Sequence, residues 1–158
     1  MRAYVAVVGA GHATADEEHL AEAVGRGLGE AGAVVVCGGL GGVMEAACRG
    51  AKSAGATTLG ILPGADRAEA NPYVDIAVAT GLGELRNGLV VRAADGLVAV
   101  GGEFGTLSEL ALALKAGKPV FALGGWDLSR EGQPVEAIVR AASPEDAVAR
   151  VLAACAHA

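Results

Sequence analysis

Apolar residues along this chain fall into short continuous runs, separated by glycine turns and by stretches of helical period. The runs are Tyr4 to Val8, Ala33 to Cys37, Thr57 to Leu62, Val74 to Ala79, Leu97 to Val100 and Val120 to Leu123. Each has the length and continuity of a strand covered on both faces. Between them lie helical segments with recognisable ends. Thr14-Ala-Asp-Glu17 is a capping box for a helix to about Glu30, stopped by Gly32. Val43 to Ala54 stops at Gly55, Leu82 to Ala94 precedes the fifth run, and Thr106 to Ala116 is closed by Gly117 and Pro119. Ser143-Pro144-Glu-Asp146 supplies an N-cap, a proline at N1 and an acidic first turn, opening a last helix to about Ala154. Loops are expected from Pro63-Gly64 to Asn71-Pro72 and from Gly124 to Gln133. Strands alternating with helices predict an α/β chain, a Rossmann-like doubly wound parallel sheet with helices on both faces. No linker, charge run or repeat divides residues 1–158, so a single nucleotide-binding domain is expected.

Composition narrows the function classes. The 158 residues are 53% hydrophobic and only 3% aromatic, with 25 glycines, which suits closely packed strands and helices. A net charge of −6 argues against a general nucleic-acid binder, but leaves room for a small phosphorylated ligand in a local site. Cys37, Cys48 and Cys155 have no CxxC spacing and suit reduced thiols, so a cytoplasmic protein is expected. The apolar runs are too short for a bilayer, and the N-terminus leads straight into a strand without signal-peptide features. No membrane partner is expected. No His/Cys cluster has metal spacing, and no metal site is expected.

Three glycine-rich turns follow three of the strands: Gly9-x-Gly11, Gly38 to Gly42, and Gly101 to Gly105. In a doubly wound sheet they should line one crevice at the carboxyl ends of the strands. A full GxGxxG is missing from the first turn, and Cys37 ends the second strand where a dinucleotide fold would place an acid. A mononucleotide-type ligand fits better. Gly101, Gly102, Gly105 and Thr106 join a strand to a helix start, the arrangement that aims N–H groups and a helix dipole at a phosphate. Gly38, Gly39, Gly42 and Met44 would form the opposite wall. His12 follows the first turn, as either a ligand contact or a plain loop residue. Met44 also reads as core. Thr106-Leu-Ser-Glu109 reads equally as a capping box with no further role. Arg86 lies in an otherwise apolar stretch, which favours a site over the solvent.

These motifs carry a resemblance. Gly101-Gly102-x-x-Gly105-Thr106-x-x-Glu109 resembles the PGGxGTxxE signature of the LONELY GUY family, long mislabelled as lysine decarboxylases, and Gly38-Gly39-x-x-Gly42-x-Met44 resembles its GGGxxGxM element. Arg86 falls at the matching distance before the second motif, and the likeness covers about residues 35 to 120. Val100 stands where the hydrolases have proline, and Asn87 where they usually have lysine. Both features look more like the short molybdenum-cofactor carrier branch of the same superfamily (SLOG). By resemblance, Arg86 and Glu109 would be the catalytic pair, Glu109 engaging the ribose and the positive charge that develops at the anomeric carbon.

The resemblance implies binding of a nucleoside 5′-monophosphate-like ligand, with hydrolysis to free base and ribose 5-phosphate as the expected activity. The alternative is a carrier or sensor holding a phosphorylated pterin or a nucleotide without turnover. No cofactor is required on either reading; a bound nucleotide or the molybdenum cofactor would be the ligand. A decarboxylase is not expected, because Lys52, Lys115 and Lys118 read as exposed lysines at helix ends. The relatives' assembly implies a homo-oligomer, a dimer or tetramer.

Overall fold

The computed structural model describes residues 1–157. Its elements run β1 (Tyr4–Gly9), α1 (Ala15–Glu30), β2 (Val34–Cys37), α2 (Val43–Ser53), β3 (Thr58–Leu62), β4 (Ile76–Ala79), α3 (Asn87–Ala93), β5 (Gly96–Val100), α4 (Phe104–Lys115), β6 (Val120–Leu123), β7 (Ser129–Arg130), β8 (Gln133–Pro134), β9 (Ile138–Arg140) and α5 (Pro144–Cys155). Short 3-10 turns stand at Arg67–Glu69 and Gly83–Arg86. Seven strands form one sheet in the order β4-β3-β2-β1-β5-β6-β9, and every pairing is parallel. The expected doubly wound sheet is what forms.

Alternation along the strands feeds two cores. Val5, Val7, Val98 and Val100 pack with Val24 and Leu28 of α1 and Val148 and Val151 of α5. Ala6, Val8, Leu97 and Ala99 pack on the other face with Val90 and Val91 of α3 and Leu110 of α4. Helices α1 and α2 approach backbone to backbone. A Cβ at Gly25 would run into the Ala47 carbonyl, and one at Gly50 into that of Glu22.

Several expectations change. The helix expected over Leu82 to Ala94 is a 3-10 turn followed by α3, so Arg86 sits at the joint between them. β4 is an edge strand and not a fully covered one: Ile76 and Val78 are exposed. The loop from Gly124 to Gln133 contains β7, which pairs with β8, and a further strand, β9, follows beside β6. Lys118 is half-buried, and its Nζ donates to carbonyls of Val91, Arg92 and Ala94 at the end of α3.

Strands β2 to β4 extend the sheet to one side of β1, and β5, β6 and β9 to the other. Chain order reverses between β1 and β5, which opens a crevice beyond their carboxyl ends.

Candidate functional site

That crevice holds a cavity of about 370 Å³. Gly9 and Gly11 line it from the end of β1, Gly38 and Met44 from β2 and α2, and Arg86 and Asn87 from the joint before α3. Gly105, Thr106 and Glu109 of α4 close the far wall, and Glu84 and Glu103 also line the space. The first and second glycine turns and the strand-to-helix motif thus meet at one place.

Not every candidate glycine is on the wall. Gly39 backs onto Leu62 and Gly42 onto the Ala10 carbonyl, so both shape the second turn from behind. Gly101 and Gly102, with φ of 56° and 118°, turn the chain from β5 into α4, and a Cβ at Gly101 would strike the Glu17 carboxylate. They set the direction of α4 and are not themselves on the cavity wall, although Gly102 packs directly behind Thr106. His12 is exposed and also lies off it.

The start of α4 settles what Thr106 and Glu109 do locally. The helix begins at Phe104 with Glu103 as N-cap, and no side chain caps it. The capping box expected over Thr106 to Glu109 is therefore not formed. The glycine turn delivers the chain to the helix earlier than the Thr-x-x-Glu pattern suggests. Thr106 falls inside the first turn and Glu109 inside the next. Leu107 N–H donates to the Glu103 carbonyl, so the preceding N–H groups of Phe104, Gly105 and Thr106 have no helical carbonyl to bond. Two of those three residues line the cavity.

Arg86 and Glu109 are both buried, at 8% and 6% exposure, with Nη1 and Oε1 4.0 Å apart. Burial holds the Glu109 carboxyl up at about 7, against the pull of Arg86. Burial likewise lowers the Arg86 guanidinium from its ordinary value, with Glu109 opposing, although an arginine stays charged. Arg86 Nη1 donates to Asn87 Oδ1 at 3.1 Å. Its Nε is buried with no partner, the one such side-chain atom among the described residues. A buried donor left unmade is costly and points to a ligand acceptor. A Cβ at Gly38 would collide with Nη1, so this glycine makes room for the guanidinium.

Met44 is core and wall at once. It packs with Cys37 and Cys48, whose sulfurs are 3.4 Å apart, and its side chain reaches the lining. The Cys37 sulfur accepts the Gly39 N–H at 3.3 Å, bracing the second turn.

Sequence reasoning did not pick out Glu84, Glu103 or Asn87 as wall residues. Asn87 had a signal, its place beside Arg86. The two glutamates had none, because exposed acids at helix starts are commonplace.

Two proteins of known structure share this architecture over nearly their whole length. The molybdenum cofactor binding protein of Rippkaea orientalis is 34% identical, with 97% of each chain covered and a TM-score of 0.86. The Moco carrier protein of Chlamydomonas reinhardtii is 35% identical over 100% of both chains, with a TM-score of 0.84. DNA processing protein A of Helicobacter pylori, at 20% identity and a TM-score of 0.71, shares the fold alone. An uncharacterized protein of Archaeoglobus fulgidus is 44% identical over 119 residues, 75% of this chain and 78% of its own. Residues 2–148 match the SLOG cluster4 family, and to that family this chain belongs.

Proposed function

We propose that this protein is a carrier: it holds a phosphorylated pterin, the molybdenum cofactor, in the β1–β5 crevice and releases it uncleaved. The observation that carries this reading is the end-to-end likeness to the Rippkaea and Chlamydomonas proteins. The site supports it chemically. The free N–H groups of Gly105 and Thr106 and the Arg86 guanidinium would hold the phosphate, as helix starts and arginines do. Glu84 and Glu103 would accept from the N–H groups of the pterin ring. A cavity of about 370 Å³ is of the size that encloses a small ligand.

Hydrolysis of a nucleoside 5′-monophosphate is the second reading, favoured by the buried Arg86–Glu109 pair. Its weakness is the state of Glu109. Stabilising an oxocarbenium-like centre needs a carboxylate, whereas burial pushes this carboxyl up to about 7 and so disfavours its ionised form, and a nearby phosphate would push it further the same way.

Mass analysis of ligand retained through purification, with ribose 5-phosphate release from AMP as the companion assay, separates the two. A molybdopterin-type mass with no release supports the carrier. Release that disappears in Glu109→Gln would replace it with the hydrolase.

A second copy of the chain would cover the apolar side chains beside the cavity mouth. Leu85 is 80% exposed and Phe104 74%, with Leu82, Leu89 and Leu112 also exposed. A homo-oligomer, a dimer or tetramer, is part of this proposal.

A further inference from the structure

Arg86 Nη1 has two claimants. The side-chain carbonyl of Asn87 accepts its proton at 3.1 Å, while the Glu109 carboxylate stands 4.0 Å away. Left to themselves, a buried guanidinium and carboxylate close to about 2.8 Å, often with two parallel bonds. Here they do not close, and a neutral amide has the nitrogen instead.

The amide is itself held. Asn87 Nδ2 donates to Ser108 Oγ at 3.0 Å and to the Gly105 carbonyl at 3.5 Å. Ser108 Oγ donates to the same carbonyl at 2.6 Å. Both partners belong to the opening turns of α4, so the amide's nitrogen end is tied to one wall and its oxygen end faces Arg86. Asn87 is half-buried and lines the cavity, so it spans the joint before α3 and the phosphate-facing end of α4.

We propose that Asn87 is a positioning residue: its side-chain carbonyl holds the Arg86 guanidinium off the Glu109 carboxylate and open to an incoming phosphate oxyanion. An arginine locked in a closed ion pair is already neutralised, and an anion would have to break that pair before binding. The latch removes this competition. It also explains how Nε remains buried without a partner, since the guanidinium is anchored at Nη1 alone. The charged and titratable groups around Glu109 are Arg86 from the 3-10 turn, Cys37 from the end of β2, and Glu84 and Glu103 in the same lining.

The proposal rests on the reading of the cavity as a phosphate site, and the test keeps the two apart. The Glu109 carboxyl is followed by carbon-13 NMR through a pH titration, its signal assigned with Glu109→Gln. Wild type, Asn87→Ala and Asn87→Asp are compared, and inorganic phosphate binding is measured calorimetrically on the same samples. In Asn87→Ala the guanidinium closes on Glu109, and the carboxyl titrates about one pH unit or more below wild type. Phosphate binding then weakens roughly tenfold, the loss of one charge-assisted bond. Asn87→Asp restores an acceptor for Nη1, so Glu109 titrates at or above the wild-type position. A Glu109 titration unmoved in Asn87→Ala, or lowered as far in Asn87→Asp, overturns the proposal. Should Asn87→Ala fail to fold, Asn87→Ser and Asn87→Leu, which shorten the side chain or replace its carbonyl with an apolar group, must lower the Glu109 titration in the same direction; no movement in whichever folds also overturns it. If Glu109 responds as expected but phosphate binds none of the proteins, the latch stands and the phosphate reading falls.

Discussion

At neutral pH the Glu109 carboxyl is close to the midpoint of its titration, because burial has lifted it to about 7 from an ordinary 4.5. A carboxyl raised on folding binds its proton more tightly in the folded state. Folding is therefore unpenalised below the unfolded value of about 4.5, and the full penalty is present above about 7. The size is roughly 3 kcal/mol at pH 8. Glutamine copies the neutral acid. Glu109→Gln should match the wild type in melting temperature near pH 4.5 and exceed it at pH 8 by on the order of 5–10 °C. A mutant that melts lower at pH 8 would show instead that Arg86 needs the charge. Arg86 was legible in the sequence as a charge in an apolar stretch, and Glu109 only through its place in the glycine-turn motif, where a capping role read equally well. The distance between them was not, because it is set by Asn87 reaching across to Ser108, 21 positions away.

Helices α1 and α2 show how an element depends on a missing side chain. Gly50 faces the Glu22 carbonyl and Gly25 the Ala47 carbonyl with no room for a methyl group. Gly50→Ala forces the pair apart and should destabilise by about 1–3 kcal/mol, read as a lower denaturation midpoint. It should also weaken ligand binding, since α2 carries Met44 into the cavity wall. The propensity of alanine for helices predicts the opposite sign at an exposed position, so the outcome discriminates. Five helices and six strands could be read from periodicity and glycine stops. The seventh strand of the main sheet, β9, could not, nor could the two-residue β7 and β8, because such short pieces owe their conformation to pairing and leave no local pattern. The early start of α4 was hidden for the converse reason. A good local cap pattern at Thr106 competes with a turn whose course is fixed by Gly101 and Gly102, and the turn wins.

For the whole molecule, the sheet order explains why one crevice gathers residues from so many segments: β1 is flanked by β2 on one edge and β5 on the other. The exposed Leu85 and Phe104 sit beside that crevice and define the face a second copy would cover. Light scattering during size exclusion should report an oligomer for the wild type and a monomer for Leu85→Glu/Phe104→Glu; a monomeric wild type would remove the oligomer from the proposal. The order has one more consequence. The Tyr4 N–H donates to the Asp95 carboxylate, 91 positions along the chain, and Val5 to Gly9 lie in register with Gly96 to Val100. As the polypeptide leaves the ribosome, β1 can zip to β2 at once, yet its other edge stays open until more than half the chain has been translated. The wholly apolar run Val5 to Val8 is thus a sticky template until Gly96 to Val100 have emerged, and a transcript cut short before Gly96 would yield a product that aggregates instead of folding.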